Sequence, residues 1–347
     1  MPLPAAENAI RTLRRLQLID YDHEFQRTEQ VIVVPLLREM SERELSLLRK
    51  QLGEVVIQLS DFAKVVQRPK NLAASLEGNA PEDLVENLPR SYDVIGDIAV
   101  VEVPEGVQQF APIVGQSILK INPHVRLVLQ KASRTEGKYR IRGFKVIAGM
   151  GGTETTYCEF ACRYHLDVST VYFNPRLSHE RMRVARQVMP GEVIVDMFAG
   201  VGPYSILMAK QQPKSTVYSV DLNPAAITYL KENVFMNSVA DRVIPICGDA
   251  NLLARGELRG IANRVIMNLP SESVNYIPAA AQLLREQGGM IHFYAFANRD
   301  QSIEEIRNSF QLAVAAQDRK AVSFQFCKTI KGVSSSRVEV AIDAQVV

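Results

Sequence analysis

The stretch VIVDMFAGVGPYSILMAK, residues 193–210, joins a short apolar strand to a helix through a turn that contains two glycines. Asp196 lies at the end of the predicted strand, and Gly200 and Gly202 permit a tight turn that lets a ligand approach the backbone closely. A nicotinamide-cofactor turn has the pattern G-x-G-x-x-G, and this chain has Ser205 at the third glycine position. The turn therefore indicates a small-molecule site without fixing its ligand.

Strand and helix patterns alternate from residue 193 to the end of the chain. Five apolar runs are predicted as strands: VIVDMF, STVYSVD, RVIPICGD, RVIMNLP and GGMIHFYAFA. Helical patterns follow the first, second, fourth and fifth runs. The chain closes with two β-rich runs, KAVSFQFCKTI and RVEVAIDAQVV, which have no helix between them. This order predicts an α/β fold, a doubly wound Rossmann-like sheet with an antiparallel strand pair at one edge.

Two further acidic residues follow the second and third predicted strands. Asp221 ends the run YSVD, where a carboxylate can accept hydrogen bonds from ribose hydroxyls, and Asp249 in GDA could receive an adenine amino group. Each acid alone is explained as a turn residue or a helix cap. Together with Asp196, at the edge where doubly wound sheets bind ligands, they favour a nucleoside cofactor.

The first half of the chain has a different pattern. Residues 8–18 and SERELSLLRKQL look helical, whereas EQVIVVPLL and EVVIQL look like strands. Residues 67–91 are rich in turn and capping residues, which indicates a domain boundary. The runs that follow look mainly like strands. We therefore predict a small α/β domain over residues 1–84, a β-rich middle domain over 85–165 and the doubly wound domain over 166–347.

The composition is that of an ordinary globular protein, with 47% hydrophobic and 22% charged residues among 347. No apolar run reaches the roughly 18 residues that span a bilayer. The first residues lack the apolar core of a signal peptide, so we expect a soluble, cytoplasmic protein. The net charge of +2 leaves nucleic-acid binding open. The four cysteines are expected to be reduced and structural, and no metal site is predicted.

The acids and the glycine turn resemble those of class I S-adenosylmethionine-dependent methyltransferases, over residues 193–347. The final strand pair also matches that fold. The resemblance implies S-adenosylmethionine as the cofactor and S-adenosylhomocysteine as its product. It implies these cofactor-binding residues: Asp196, Phe198, Gly200, Gly202, Asp221, Asn223, Asp249 and Asn268.

A narrower resemblance comes from two more motifs. Asn268, Leu269 and Pro270 end the fourth strand and resemble the (N/D)-P-P-(Y/F) motif of base-nitrogen methyltransferases, with Leu269 in place of the first proline. Together with YFNPRLSHERMRVAR, residues 172–186, and the upstream runs LPRSYDVIGDIAVVEVP and KYRIRGFKVIAG, they are similar to the archaeal and eukaryotic tRNA guanine-37 N1-methyltransferases. The similarity covers residues 89–347. Asn174 departs from the family, which usually has Ser there.

Methyl transfer to guanine N1 needs a base that removes the N1 proton and a cation beside O6, where negative charge develops. Family position assigns the base to Glu180 and the cation to Arg140. Arg142 is the alternative cation, because alternation along a strand places both arginines on one face. Glu180 by itself would also be explained as an acid that complements the dipole of a helix N-terminus.

The resemblance also implies how the target tRNA is held. Tyr172 and Arg176 would shape the base pocket, while Asn268 and Pro270 would hold the base from the other side. A basic run over residues 131–145 and the arginine-rich helix after residue 177 predict a local positive patch for the anticodon loop. The remaining substrate-binding residues are expected to be Arg142, Lys138, Arg181 and Arg183. We expect a monomer that uses no metal and no membrane.

Three alternatives stay open. A sister family transfers the aminocarboxypropyl group of the same cofactor to a wybutosine precursor, and a glycine-asparagine pair typically replaces Pro-Arg in that group. The intact Pro175 and Arg176 of this chain favour methyl transfer. Some archaeal members methylate a tricyclic wyosine intermediate. A non-catalytic tRNA-binding protein is the third alternative, and the intact Gly200, Gly202 and Asp221 argue against it.

Overall fold

The computed structural model describes residues 3–28, 31–52, 55–64, 69–77, 80–133, 137, 139, 141–334 and 336–347. The chain divides into two compact units, Met1–Pro69 and Lys70–Val347. The larger unit contains the middle and doubly wound regions that the sequence analysis placed in separate domains. Within the described residues, no helix is long and apolar enough to cross a membrane, and no cluster of His, Cys, Asp or Glu could hold a metal ion.

The smaller unit contains two helices and a short strand pair: α1 (Leu3–Arg15), β1 (Gln26–Arg27), β2 (Ile32–Val33) and α2 (Glu42–Leu52). Its core is built around Leu13, Leu18, Ile19 and Leu48. The strand predicted for EVVIQL is wrong over its described residues, 55–59, which have no regular structure. Val56 and Leu59 are exposed, so this run has no buried face for a strand to cover.

The larger unit begins with a four-stranded sheet in the order β3-β4-β5-β6. Its elements are α3 (Leu72–Leu76), α4 (Glu82–Glu86), β3 (Tyr92–Ile95), β4 (Ile98–Val101), α5 (Ala111–Ile121), β5 (Leu127–Lys131) and β6 (Phe144–Gly149). Helix α5 is the crossover between the parallel strands β4 and β5. Leu72, Leu76 and Leu84 pack in the same core as this helix. The turn-rich run thus supplies two short helices, and the region predicted as β-rich is a mixed α/β layer.

A hairpin follows and belongs to the core of the doubly wound region. Its strands are β7 (Glu154–Glu159) and β8 (Cys162–Asp167), and Tyr164 packs in one core cluster with Ile194. Helix α8 (Pro224–Met236) binds the hairpin through Asn233, whose Oδ1 accepts the His165 amide at 2.6 Å. This attachment fixes the chain that leaves β8 and leads into residues 172–177, the base-facing turn, which is predicted to shape the pocket for the target base.

The last region is a seven-stranded sheet in the order β11-β10-β9-β12-β13-β15-β14. Its strands are β9 (Val193–Asp196), β10 (Thr216–Asp221), β11 (Val243–Cys247), β12 (Arg264–Met267), β13 (Gly289–Asn298), β14 (Ala321–Gly332) and β15 (Arg337–Val346). Besides α8, its helices are α6 (Ser178–Ala185), α7 (Pro203–Gln211), α9 (Ala250–Arg255), α10 (Ile277–Leu283) and α11 (Ile303–Ala315). Strands β9 to β13 pair in parallel, and β15 pairs antiparallel with both β13 and β14. The predicted doubly wound sheet with its antiparallel strand pair is confirmed.

Candidate cofactor and substrate site

Asp196 ends β9 and is buried beneath the glycine turn. The Ser205 hydroxyl donates to its Oδ2 at 2.8 Å. Burial raises the pKa of Asp196 to about 7, although the Ser205 hydrogen bond and the Phe198 backbone amide act in the opposite direction. Its Oδ1 is buried and has no hydrogen-bond partner among the described residues. A buried carboxylate oxygen without a donor indicates a site for a polar ligand.

The glycine turn is closed by the carboxylate of Asp221 at the end of β10. Its Oδ2 accepts the Gly200 amide at 2.7 Å, and its Oδ1 accepts the Asn223 amide at 2.8 Å. Gly200 and Gly202 have φ values of +54° and +91°, in the left-handed region that favours glycine. A Cβ on Gly202 would lie 2.3 Å from Leu230 Cδ1, so this glycine is required for packing against α8.

Asn223 and Asp249 are helix caps. The Asn223 Oδ1 accepts the Ala225 amide at 3.0 Å, and its Nδ2 donates to the Thr170 carbonyl at 2.9 Å. The buried amide of Asn223 thus caps α8 and ties it to residue 170, and its predicted role in cofactor binding stays a prediction. Asp249 caps α9 through Oδ1, which accepts the Asn251 amide at 2.8 Å.

Phe198 meets an aromatic residue that the sequence analysis missed. Its ring packs edge-on against Tyr276, with ring centroids 4.8 Å apart and an interplanar angle of 84°. Burial raises the pKa of the Tyr276 hydroxyl, and the negative charges of Asp249 and Glu272 add to the effect. Phe198, Asp249 and Tyr276 therefore lie together, from three different loops. No local pattern distinguishes Tyr276 from the other tyrosines.

These residues fit a nucleoside cofactor. The Asp221 carboxylate accepts backbone amides on both oxygens, and with four lone pairs in all it keeps capacity to accept a ribose hydroxyl. The glycines keep the turn open to a ligand, and Phe198 and Tyr276 supply an aromatic wall beside the Asp249 carboxylate.

The chain that leaves β8 runs beside this turn. A Cβ built on Gly200 would lie 3.7 Å from the Tyr172 carbonyl oxygen. The Tyr172 side chain is half exposed, and its hydroxyl accepts Asn174 Nδ2 at 3.4 Å. Asn174 also caps the 3-10 turn Pro175–Leu177 through the Arg176 amide. The predicted base-facing turn thus borders the predicted cofactor turn.

Glu180 lies in the first turn of α6 and is buried. Arg183 holds its carboxylate with two hydrogen bonds, from Nε to Oε2 at 2.8 Å and from Nη2 to Oε1 at 2.6 Å. The Tyr294 hydroxyl of β13 donates to Oε1 at 2.7 Å, and the Tyr204 hydroxyl donates to Tyr294 at 3.1 Å. The carboxylate is therefore largely shielded from solvent and held in a fixed orientation, which a simple partner of the helix dipole does not need.

A chain of buried polar groups continues from Arg183 across the sheet. Arg183 Nη2 also donates to Asp343 Oδ1 at 3.0 Å, and His292 Nδ1 lies 2.7 Å from the same carboxylate oxygen. His292 Nε2 faces Arg264 Nη1 at 2.6 Å, and Arg264 pairs with Glu192. Because a guanidinium can only donate, Nε2 must accept and Nδ1 must carry the proton that binds Asp343. Burial lowers the pKa of His292, which agrees with a neutral ring.

Two arginines that were predicted to bind tRNA are held in ion pairs within the protein. Arg181 is buried, and its guanidinium pairs with Glu159 through Nε–Oε1 and Nη2–Oε2 distances of 2.6 Å each. The Arg183 guanidinium is used by Glu180 and Asp343. Glu159 and Asp343, which lie outside residues 172–186, thus pair with two arginines of that segment. Arg186, at the end of α6, is exposed.

Arg176 and Arg142 share one charged cluster. Arg176 Nε donates to Asp93 at 2.5 Å and Nη2 donates to Ser91 at 3.0 Å. The pKa of Lys131 is lowered by burial and by the nearby positive charges of Arg142 and Arg176. Arg142 and Arg176 therefore both lie within electrostatic range of Lys131. Arg140 and Lys138 lie outside the described residues.

The turn after β12 carries Asn268 and Pro270. It is fixed to β13, where the Phe296 amide donates to the Pro270 carbonyl at 3.0 Å and the Ser273 hydroxyl donates to the Tyr294 carbonyl. Asn268 is half-buried. Tyr294 thus joins this turn, through its backbone, to Glu180, through its hydroxyl.

Comparisons with known proteins show which family the chain belongs to. The model of the TRM5/TYW2 methyltransferase domain matches residues 155–322, and the model of the TYW2 N-terminal domain matches residues 72–153. The tRNA (guanine(37)-N(1))-methyltransferase Trm5b of Pyrococcus abyssi is 35% identical over 329 residues, which cover 93% of each chain. The chain belongs to the TRM5/TYW2 methyltransferase family.

Other proteins similar to this TRM5/TYW2 methyltransferase have other names. The tRNA 4-demethylwyosine(37)-methyltransferase Taw21 of Saccharolobus solfataricus is 33% identical over 73% of this chain and 93% of its own length. A solved complex of aTrm5 and tRNALeu has a TM-score of 0.70 at 27% identity, covering 99% of this chain and 98% of that one. Pyrococcus horikoshii TYW2, solved in complex with MeSAdo, has a TM-score of 0.65 at 25% identity, covering 79% of this chain and 97% of its own.

Proposed function

We propose that this protein transfers a methyl group from S-adenosylmethionine to N1 of guanine 37 in tRNA. The observation that carries the proposal is the orientation of Glu180, a buried carboxylate held by Arg183 and by Tyr294, which is also bonded to the turn after β12. The likeness to tRNA (guanine(37)-N(1))-methyltransferases supplies the substrate. The aTrm5–tRNALeu complex supports tRNA as the partner.

Asp221, Asp196, Gly200 and Gly202 would hold S-adenosylmethionine, with Phe198 and Tyr276 beside its adenine. The cofactor supplies an electrophilic methyl group on a sulfonium sulfur. The protein holds that ligand at the edge of the sheet next to the chain that carries Tyr172. Binding both reactants there supplies the proximity that a bimolecular transfer needs.

Glu180 would accept the N1 proton of guanine, so that the nitrogen lone pair can attack the methyl group. Three hydrogen bonds from Arg183 and Tyr294 already hold the carboxylate in one orientation. Asn268 would hydrogen-bond the base edge, and Pro270 stiffens the turn that carries it.

A cation beside O6 would stabilise the negative charge that develops there as N1 loses its proton. The family position gives this role to Arg140, which lies outside the described residues. Arg142 is the described alternative, and its charge acts on Lys131, as that of Arg176 does. Guanine 37 would leave its stack to reach the pocket, and the exposed Lys145 and Arg186 would contact tRNA phosphates.

A second candidate substrate is a wyosine intermediate at the same tRNA position. It is favoured by the 33% identity with Taw21. Transfer of the aminocarboxypropyl group is favoured by the match to the TYW2 N-terminal domain over residues 72–153. The intact Pro175 and Arg176, in the capped turn beside Asp93, support methyl transfer over that reaction.

Nucleoside analysis tests these possibilities directly. The purified protein is incubated with S-adenosylmethionine and transcribed tRNAs that carry either G or A at position 37. We expect N1-methylguanosine from the G37 transcript and no product from the A37 transcript. An aminocarboxypropyl product, or methylation only of tRNA that already carries the tricyclic intermediate, would overturn the proposal.

A further inference from the structure

The hydrogen bonds at Glu180 distinguish its two carboxylate oxygens. Oε1 accepts two donors, Arg183 Nη2 at 2.6 Å and the Tyr294 hydroxyl at 2.7 Å. Oε2 accepts one donor, Arg183 Nε at 2.8 Å. Each carboxylate oxygen has two lone pairs, so Oε1 is filled. Among the described residues, nothing else donates to Oε2, which therefore keeps one lone pair for an incoming proton.

Tyr294 is the residue that fills Oε1 from the sheet side. Its ring is fully buried, and its hydroxyl is bonded on both sides, to Glu180 and to the Tyr204 hydroxyl. Its carbonyl accepts the Ser273 hydroxyl from the loop that follows Asn268 and Pro270. One residue of β13 thus contacts both the proposed base and the loop proposed to hold the substrate base.

The Tyr294 hydroxyl remains a donor throughout the working pH range. Burial raises its pKa well above the usual value, and the nearby Tyr204 and Glu180 add to the effect. A phenol that stays protonated cannot itself remove the guanine proton. Its hydrogen bond stabilises the charged form of the carboxylate that it faces.

We propose that Tyr294 is a positioning residue for the transfer reaction: its hydroxyl fills Glu180 Oε1 and leaves Oε2 as the oxygen that accepts the guanine N1 proton. The proposal rests on the proposed function, because it assumes that Glu180 is the base. The N1–H bond breaks as the Oε2–H bond forms, and the nitrogen keeps the electron pair that attacks the methyl group. Tyr294 gains and loses no proton.

Other charged groups also face this carboxylate and must be considered in any pH measurement. Arg183 approaches it from α6 and Tyr204 from α7. Glu339 of β15 interacts with it as a like charge and is itself paired with Lys331 at 2.9 Å. Asp343 reaches it only through Arg183. Removing the Tyr294 hydroxyl leaves the Arg183, Glu339 and Asp343 contacts in place, whereas the Tyr204 hydroxyl loses its acceptor.

The test is Tyr294→Phe, measured by single-turnover methylation of G37 transcript from pH 5.5 to 9. We expect the maximal rate to fall on the order of 10-fold, since a hydrogen bond to a charged group is lost. We also expect the acid limb of the pH–rate profile to move to higher pH, because the charged carboxylate loses a donor. The dissociation constants for S-adenosylmethionine and tRNA should not change.

Tyr229→Phe is the matched control. The Tyr229 hydroxyl donates to Glu154 Oε1 at 2.8 Å, so this change deletes the same kind of bond at a more exposed position outside the site. It should leave both the rate and the pH profile as in the parent. An equal loss in the two variants, or an unchanged rate and profile in Tyr294→Phe, would overturn the proposal.

Two further variants complete the test. Tyr204→Phe controls for a folding defect, and the Glu180→Gln background distinguishes a failure of this inference from a failure of the proposed function. Tyr204→Phe removes only the hydrogen bond that the Tyr294 hydroxyl accepts, and we expect about a 2- to 3-fold loss of rate with a smaller shift of the acid limb in the same direction. In a Glu180→Gln background, Tyr294→Phe should cause no additional loss of rate. An additive loss contradicts positioning through Glu180. Full activity of Glu180→Gln alone would instead contradict the proposed function.

Discussion

Arg181 and Glu159 form a buried bidentate ion pair that joins α6 to the β7–β8 hairpin, with two N–O distances of 2.6 Å. Arg181 Nη1 also donates to the Asn174 carbonyl at 3.0 Å. The guanidinium thereby fixes the chain on both sides of the turn that contains Pro175 and Arg176. An arginine that resembles a phosphate contact in the sequence has a structural role in the fold.

Arg181→Ala should therefore destabilise the protein. The substitution leaves Glu159 buried without its partner, which costs about 3–5 kcal/mol of the free energy of unfolding. Arg186→Ala, at an exposed position of the same helix, is the control, and it should change the free energy of unfolding by less than about 0.5 kcal/mol. Urea unfolding measures both.

Arg181→Ala and Arg186→Ala should also differ in how their affinity for tRNA depends on salt concentration. Removal of one phosphate contact lowers the slope of log affinity against log salt concentration by about 1, and we expect this for Arg186→Ala. Folded Arg181→Ala protein should keep the parental slope. A parental free energy of unfolding together with a reduced slope in Arg181→Ala would contradict the structural role.

The two glycines of the cofactor turn should differ in their tolerance of a methyl group. In Gly202→Ala the new Cβ meets Leu230 at 2.3 Å, and the φ of +91° is also unfavourable. We expect a loss of about 2–4 kcal/mol in the free energy of unfolding. Gly200→Ala has space, with the nearest atom at 3.7 Å, and its φ of +54° should cost only about 1–2 kcal/mol. If chemical unfolding gave equal losses in the free energy of unfolding for the two variants, packing against α8 would not be the cause of the Gly202→Ala effect.

Asp196 should make stability depend on pH. Its pKa is about 7 in the folded protein and 3.8 as the ordinary value, so between these values the folded state keeps a proton that the unfolded chain has released. The contribution of this group to the free energy of unfolding therefore falls as the pH rises through this window. Asp196→Asn lacks this dependence. Between pH 5 and pH 8, the difference in free energy of unfolding between the variant and the parent should change by roughly 2–3 kcal/mol in favour of the variant. Parallel curves of unfolding free energy against pH would contradict the burial effect.

Tyr276 should contribute to cofactor affinity. Tyr276→Ala removes the ring that packs against Phe198 at 4.8 Å, and we expect S-adenosylmethionine to bind about 10-fold more weakly by titration calorimetry. Tyr276→Phe keeps the ring and serves as the matched variant that tests the hydroxyl alone. tRNA affinity should be parental in both. Unchanged cofactor affinity in Tyr276→Ala would remove this residue from the site.

The catalytic sheet was predictable because its signals are local. Strands and helices alternate with short connections, and the carboxyl ends of parallel strands bring Asp196, Asp221 and Asp249 to one edge. The first unit was less predictable, since the run around Val56 is apolar yet exposed and forms no strand. Helix α5 lay between strand-like runs and was not predicted, and it made the middle region α/β.

The polar network was not predictable from the sequence, because its partners are far apart in the chain. Arg183 pairs with an acid 160 residues away, and Arg176 with one 83 residues away. Within residues 172–186, the sequence alone shows one acid, Glu180, among four arginines. Tyr294 was likewise invisible, since alternation in GGMIHFYAFA does not tell which face meets Glu180.

The most direct test of the account is single-turnover methylation of G37 transcript by Glu180→Gln. Arg183 keeps Asp343 as a partner in this variant, so the fold and the affinities for S-adenosylmethionine and tRNA should persist. We predict that the rate falls by roughly 100-fold or more, because glutamine cannot accept the N1 proton. A parental rate, with cofactor and tRNA binding intact, would show that Glu180 is not the base.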